Sequence, residues 1–163
     1  MAYRYCISFL LTIILILSGC EKEPVPDPNG HLKLTVMYPE MIITSDTVYW
    51  IPVPGVGAEA RLYDKDAICL GYKDAMLNLV RIGDSYTMSE YKLVADEKGE
   101  VLFSNIPSGE YFLIVFARKR YSYTEKYIEV TGGDTLKLTK VFSPALRFNE
   151  DLEPWDYVMP PLY

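Results

Sequence analysis

The stretch that decides the fold is residues 99–115, GEVLFSNIPSGEYFLIV. A glycine turn leads into a short apolar segment, and a second turn leads into a nearly all-apolar run over 111–117. Apolar runs of this length between turn residues are typical of buried β-strands. Pro107 and Gly109 favour a tight connection between the two strands. Tyr111 is expected to place its ring in the core and its hydroxyl on a backbone partner.

Residues 99–115 resemble the carboxypeptidase regulatory-like group of transthyretin-type β-sandwiches. That group's pattern is met here by Gly99, Phe103, Asn105-Ile106-Pro107, Gly109 and Tyr111. Residues 56–63, VGAEARLY, are similar to the group's second strand. The resemblance implies a sandwich used mostly for non-catalytic roles, as a folding aid, spacer or binding module. Residues 64–95 exceed the usual connection of the group, so the strand order there stays open.

Alternating apolar and polar residues predict further strands on both sides of this stretch. The predicted strands cover residues 31–38, 58–63, 85–95, 121–130 and 135–142. Strands at this spacing, without a long amphipathic helix, favour an all-β fold. We therefore predict a single antiparallel β-sandwich of about seven strands over residues 31–142, transthyretin-like or immunoglobulin-like.

Several segments are less regular. Pro39 is expected to end the first strand, and the Pro-rich residues 47–57 predict an irregular crossing or a broken edge strand. Residues 73–83 fit either a short helix or a strand. Residues 85–95 predict one strand with a bulge where the alternation shifts phase. The paired glycines within 131–134 predict a hairpin turn.

The N-terminus has the features of a secretory signal peptide over residues 1–19. Arg4 precedes an apolar run over 6–17, which is too short to cross a hydrocarbon core of about 30 Å as a helix. The sequence Leu-Ser-Gly-Cys ending at Cys20 resembles the lipobox of bacterial lipoproteins. The resemblance implies cleavage before Cys20 and acyl chains on that cysteine, which would anchor the protein stably. The alternative is an ordinary secretory signal followed by an unrelated cysteine.

Residues 20–30 form a lipidated, Pro-rich tether in this interpretation. Alternate prolines favour an extended spacer between the membrane and the domain. The acidic residues after Cys20 also resemble the surface-export signal of Bacteroidetes lipoproteins. Loss of Arg4 with the signal would take the formal net charge from −6 to −7, which disfavours nucleic acid as a partner. Cys69 would then be the one unmodified cysteine, and we expect a buried structural thiol.

Residues for catalysis are scarce. His31 is the single histidine, and its place in an alternating strand predicts an exposed side chain. No nucleotide-binding, zinc or thiol-redox motif is present, so we expect no catalytic residue, cofactor or metal. The alternative is a hydrolase with paired carboxylates, in which Glu150 or Asp151 would act with Asp64 or Asp66. The wider acidic cluster of the tail comprises Glu150, Asp151, Glu153 and Asp156.

Aromatic residues are the most promising surface groups. Tyr121, Tyr123 and Tyr127 share one face of a predicted strand, whereas Trp50 and Trp155 lie in Pro-rich segments. Exposed aromatic side chains stack on sugars or contact partner proteins, and they also cover sheet faces. The pattern favours cover or core positions over a ligand platform, and these five residues are the candidates for a ligand or partner surface. The C-terminal tail, residues 143–163, would strap across the sandwich or dock on a partner.

These observations favour a membrane-anchored, non-catalytic lipoprotein of the cell envelope. Its sandwich would bind a protein or glycan partner or act as an accessory module. The expected location is the outer membrane, with exposure at the cell surface an option. Besides the hydrolase, a pilin-type or assembly subunit is an alternative, and it predicts an exposed, unpaired strand edge.

Overall fold

A computed structural model describes residues 27–144 and Trp155. The described chain forms ten strands, one short helix and one 3-10 turn at residues Arg118–Arg120. The elements are β1 (Asn29–Ile43), β2 (Val48–Pro54), β3 (Glu59–Asp64), α1 (Tyr72–Leu77), β4 (Val80–Ile82), β5 (Ser85–Thr87), β6 (Tyr91–Val94), β7 (Glu100–Pro107), β8 (Gly109–Ala117), β9 (Ser122–Val130) and β10 (Thr135–Val141). The predicted all-β class is confirmed.

Two four-stranded sheets form a sandwich. In the first sheet β1 is the central strand. One edge of β1 pairs with β10, and the other edge pairs with β7 over its first half and with β2 over its second half. The second sheet has the order β6-β3-β8-β9. The core between them is built from the inward residues of both sheets, including Leu32, Leu34, Val36, Leu62, Leu113, Val115 and Phe142. One pair departs from the antiparallel pattern, because β1 and β10 run parallel.

The first strand does not end at Pro39, so that prediction is wrong. The Gly55 amide donates to the Val36 carbonyl at 2.8 Å, which shows that even-numbered residues of β1 bond toward β2. Pro39 is an odd-numbered residue and lies opposite Pro52, at a pair where neither strand needs an N–H donor. β1 therefore continues to Ile43, and the predicted broken edge strand is the continuous edge strand β2.

Residues 65–90, between β3 and β6, form an added layer outside the sandwich. The region 73–83 contains both of its predicted alternatives, since α1 is followed directly by β4. The single bulged strand predicted over 85–95 is wrong, because β5 pairs with β4 while β6 pairs with β3 in the second sheet. This layer packs on the outer face of the second sheet. A second hydrophobic core lies between them, built from Tyr63, Ala67, Ala75, Val80, Phe112, Ile114, Phe116 and Tyr123.

The decisive stretch folds as its residue types require. Gly99 has φ 74°, and a side chain there would collide with the backbone of Val36 and Gly55, so the turn before β7 needs glycine. The Tyr111 ring lies in the core and its hydroxyl donates to the Pro107 carbonyl at 2.8 Å, which confirms the predicted role. The turn at 131–134 joins strands of different sheets, so it is not the hairpin that the glycines predicted.

Candidate binding cleft

The predicted tyrosine surface divides into three environments. Tyr121 precedes β9, with φ 53° at the end of the 3-10 turn, and its side chain is exposed. Tyr123 is only 3 % exposed because the added layer covers it, which corrects its place on a surface open to a partner. Tyr127 lies further along the same face of β9 and remains 59 % exposed. Tyr127 lines a cleft at the surface of the second sheet.

The cleft has a volume of about 440 Å³. It opens at the edge of the added layer, where the turn after β3 meets the start of β8 and the end of β9. Its lining residues are Lys65, Asp66, Glu110, Tyr127, Ile128 and Glu129. Four of these six residues are charged, so the cleft is more polar than most small-ligand sites, and Tyr127 supplies its one aromatic ring.

The Tyr127 ring is held in a fixed orientation. Its centroid lies 4.9 Å from that of Phe112, which is the opposite residue on β8. Its hydroxyl donates to the Ala67 carbonyl at 3.2 Å, across the gap to the added layer. These two contacts hold the side chain in one conformation before a ligand binds. Stacking of a ligand on the exposed side of the ring therefore costs little side-chain entropy.

Carboxylates dominate the polar lining. Glu110 and Glu129 lie directly opposite each other on β8 and β9, an arrangement that destabilises a sheet because like charges meet. Lys65 forms an ion pair with Glu110 at 3.1 Å, which reduces the repulsion between the two carboxylates. The hydrogen bond from Lys65 to Glu110 raises the pKa of the Lys65 ammonium. Glu129 forms no ion pair within the described chain. Together with Asp66, the lining offers more hydrogen-bond acceptors than donors.

A second charged cluster lies at the outer face of the second sheet, and the Nε of its central residue Arg61 is buried without a hydrogen-bond partner among the described residues. Arg61 is buried, donates to the Ala75 carbonyl of α1, and pairs with Glu59 at 2.6 Å. Lys92 and Arg118 also bind the Glu59 carboxylate, at 2.9 and 2.8 Å. Burial favours the neutral acid, but the hydrogen bonds from Arg61 and Lys92 outweigh it and lower the pKa of Glu59 to about 2. This cluster joins α1 to the sheet.

The two tryptophans lie elsewhere. Trp50 is on β2 opposite Met41, half-buried at the edge of the first sheet. Trp155 packs against the main core, with its ring 5.3 Å from the Lys126 ammonium and 6.0 Å from that of Lys140. Trp155 therefore contacts the sandwich. The five predicted aromatic residues do not converge on one surface.

The groups required by the hydrolase alternative are not assembled within the described residues. Asp64 accepts a hydrogen bond from the Asp66 amide at 2.8 Å, as in an ordinary turn. Cys69 is half-buried where a buried thiol was predicted, and this burial raises the pKa of Cys69 to about 11, so its thiol stays protonated. Residues 27–144 hold no cluster of three metal-ligating side chains. Glu150, Asp151, Glu153 and Asp156 lie outside the described residues, as does Cys20.

None of the helices in the described part of the chain has the length and apolar character needed to cross a bilayer. The signal peptide, residues 1–19, and most of the tether, residues 20–30, lie outside the described residues. The lipid anchor at Cys20 therefore stays a prediction from the sequence.

Comparison with known proteins gives no family. No family model matches the chain, and no curated protein matches it either. The resemblance to the carboxypeptidase regulatory-like group therefore also stays a prediction.

Two solved structures illustrate the similarity in shape. A minor pilin of the gram-positive pathogen Streptococcus agalactiae aligns over 76 % of this chain and 49 % of its own, with 16 % identity and a TM-score of 0.40. The chain thus spans about half of the length of that pilin. A Pseudomonas aeruginosa protein to which carbohydrate binding is ascribed aligns over 72 % of this chain and 91 % of its own, with 12 % identity and a TM-score of 0.38. Similarity at this level assigns no ligand or partner to the present chain.

Proposed function

We propose that the protein is a membrane-anchored, non-catalytic module of the cell envelope that binds a glycan in the Tyr127 cleft. The observation that carries the proposal is an exposed tyrosine ring, fixed by Phe112 and Ala67, above a lining of carboxylates. A sugar presents C–H groups to an aromatic face and hydroxyl donors to carboxylate acceptors. Both kinds of contact are available within this one cleft.

The charge of the cleft indicates which glycans fit. Asp66, Glu110 and Glu129 outnumber Lys65 in the lining, and Lys65 is already paired with Glu110. Uronic, sialic or sulfated sugars would meet repulsion there, because like charges lower affinity at short range. We therefore propose neutral hexose-containing glycans as the ligand class. The binding of uncharged sugars should depend little on salt concentration.

A glycan array with the full chain tests this proposal. We expect signal on neutral glycans, little on acidic ones, and loss of that signal in the Tyr127→Ala variant. Tyr121→Ala is a matched control, because Tyr121 is equally exposed and does not line the cleft. Signal that survives Tyr127→Ala, or that is confined to acidic glycans, would refute the site. If the ligand is a protein and not a glycan, the full chain should capture that protein specifically from envelope extracts, and Tyr127→Ala should abolish the capture.

The proposed location rests on the N-terminal sequence. Cys20 follows a lipobox-like Leu-Ser-Gly, and the Pro-rich tether would hold the domain away from an outer membrane. Labelling with an alkyne fatty acid should mark the full chain and fail to mark Cys20→Ala. Equal labelling of both proteins would contradict the anchor without affecting the cleft.

A further inference from the structure

The N-terminal end of the described chain is fixed between two turns that connect the two sheets. On one side the Ser108 amide, in the turn from β7 to β8, donates to the Pro28 carbonyl at 2.9 Å. On the other side lies the turn from β9 to β10. A side chain at Gly132 in that turn would collide with the Asp27 carbonyl, so the two backbones are in close contact. Residues 27–29 therefore leave the domain at a defined position.

The same two turns border the Tyr127 cleft. Glu110 follows the first turn and Glu129 precedes the second, and both line the cleft. Glu110 is two residues beyond Ser108, a separation of about 7 Å along a strand. Lys65, which pairs with Glu110 at 3.1 Å, follows the end of β3. The cleft and the start of the described chain thus share one end of the sandwich, which we call the tethered end.

The length of the tether limits the distance between this end and a bilayer. Asp27 is seven residues beyond Cys20, and a fully extended chain of that length spans at most about 25 Å. The 15 residues of β1, in contrast, carry Ile43 up to about 45 Å from the tethered end. With an anchor at Cys20, the cleft therefore stays close to the membrane in every orientation of the domain.

The charge of the tethered end favours a gap between the cleft and the lipid. Five carboxylates belong to this end, namely those of Asp27, Asp66, Glu110, Glu129 and Asp134. Anionic lipid head groups repel such carboxylates over a Debye length of about 8 Å. The tethered end is therefore not expected to lie flat on an anionic surface. The cleft stays open to a neutral group that projects from the membrane.

We propose that the Tyr127 cleft binds the neutral glycan head group of a lipid in the same membrane that holds the chain. The inference rests on the proposed function, for the cleft and for the anchor at Cys20. A ligand in the same membrane has a roughly millimolar effective concentration, so even weak stacking and hydrogen bonding keep the cleft occupied. A site for free glycans of the medium would be better placed at the opposite end, near Ile43.

Anchoring the same domain at either end tests this geometry. One sample is the lipidated full chain, and the other is the double variant Cys20→Ala, Ser45→Cys coupled to a maleimide lipid. Ser45 is exposed between β1 and β2, at the end opposite the cleft, whereas the protonated Cys69 thiol should not react. Both samples are bound to phosphatidylcholine vesicles with or without the best neutral glycan of the array coupled to a lipid. Binding of the same glycan in free, fluorescent form is then measured.

We expect the lipid-linked glycan to raise the apparent dissociation constant of the free glycan about tenfold or more for the chain anchored at Cys20. The rise should be much smaller for the chain anchored through Ser45→Cys. Equal rises with both anchors, or no rise with either, would overturn the inference. Failure of the Cys20→Ala chain to bind the free glycan would instead refute the proposed function, and the inference with it.

An overlay on envelope extracts tests the natural source of the glycan. The full chain is applied to the neutral glycolipid fraction and to the water-soluble glycan fraction of the same envelope. We expect binding to the glycolipid fraction that Tyr127→Ala abolishes and Tyr121→Ala retains. Binding confined to the water-soluble fraction would overturn the membrane-linked ligand and leave the proposed glycan function intact.

Discussion

Arg61 and Glu59 form a 2.6 Å ion pair that is buried between the second sheet and the added layer. The same guanidinium donates to the Ala75 carbonyl of α1 and lies 5.3 Å from the centre of the Phe116 ring. A helix of six residues is too short to be stable alone. The position of the added layer, and with it the Ala67 side of the Tyr127 cleft, therefore depends on this side chain.

Arg61→Ala should lower the free energy of unfolding by about 2–3 kcal/mol, because it removes the charge-assisted hydrogen bonds to Glu59 and to the Ala75 carbonyl while Lys92 and Arg118 still pair with Glu59. Urea denaturation of the wild type and the variant measures the difference. Lys33→Ala is the control. Lys33 pairs with Glu100 at 2.8 Å on the surface, and the loss of such a pair costs less than about 1 kcal/mol. Equal losses in the two variants would show that the buried pair has no special role.

The low pKa of Glu59 predicts a specific acid sensitivity. Its folded value of about 2 lies below its ordinary value of 4.5, so the folded state favours the ionised form. The resulting stabilisation is fully present above pH 4.5 and is lost as the pH falls through about 2. Urea midpoints between pH 7 and 2 should therefore converge for the wild type and Glu59→Gln at the acid end. A constant difference between the two proteins over this range would contradict the assignment.

Tyr111→Phe should destabilise the domain by about 1 kcal/mol, since it removes the hydrogen bond to the Pro107 carbonyl while keeping the ring in the core. Thermal or urea denaturation measures the loss. Tyr86→Phe removes a hydroxyl from a side chain that is 61 % exposed, and it should change stability little. If both variants behaved alike, the Tyr111 hydroxyl would not connect β7 and β8 in the proposed way.

The sandwich could be predicted because the residues that determine its central strands lie close together in the sequence. Residues 99–115 carry their own turn glycine, apolar strand and tyrosine, and the structure reproduces all three. The parallel pairing of β1 with β10 could not be predicted, because it joins the two ends of the domain. Pro39 was misleading for a different reason. Whether a proline ends a strand depends on which side its missing N–H faces, and that requires knowledge of the partner strand.

The cleft was only partly predictable. The alternation of residues along β9 predicts that Tyr123 and Tyr127 lie on one face of the strand, and in the structure they do. The burial of Tyr123 comes from the added layer, which the contact of Arg61 with the Ala75 carbonyl joins to the second sheet. The sequence did not predict Glu110 and Glu129 as cleft residues, because they are neighbours only in the register in which β8 pairs with β9. That register follows from the turn ending at Tyr121, whose left-handed conformation is rare outside glycine.

The most direct test of the central claim is a calorimetric titration of the full chain with the best neutral glycan from the array. Tyr127→Phe keeps the ring and its contact with Phe112 but loses the hydrogen bond to the Ala67 carbonyl, so we expect a dissociation constant raised less than in Tyr127→Ala. Tyr127→Ala removes the stacking surface and should raise the dissociation constant about tenfold or more. Affinity that is unchanged in Tyr127→Ala would contradict the proposal that this cleft is the binding site.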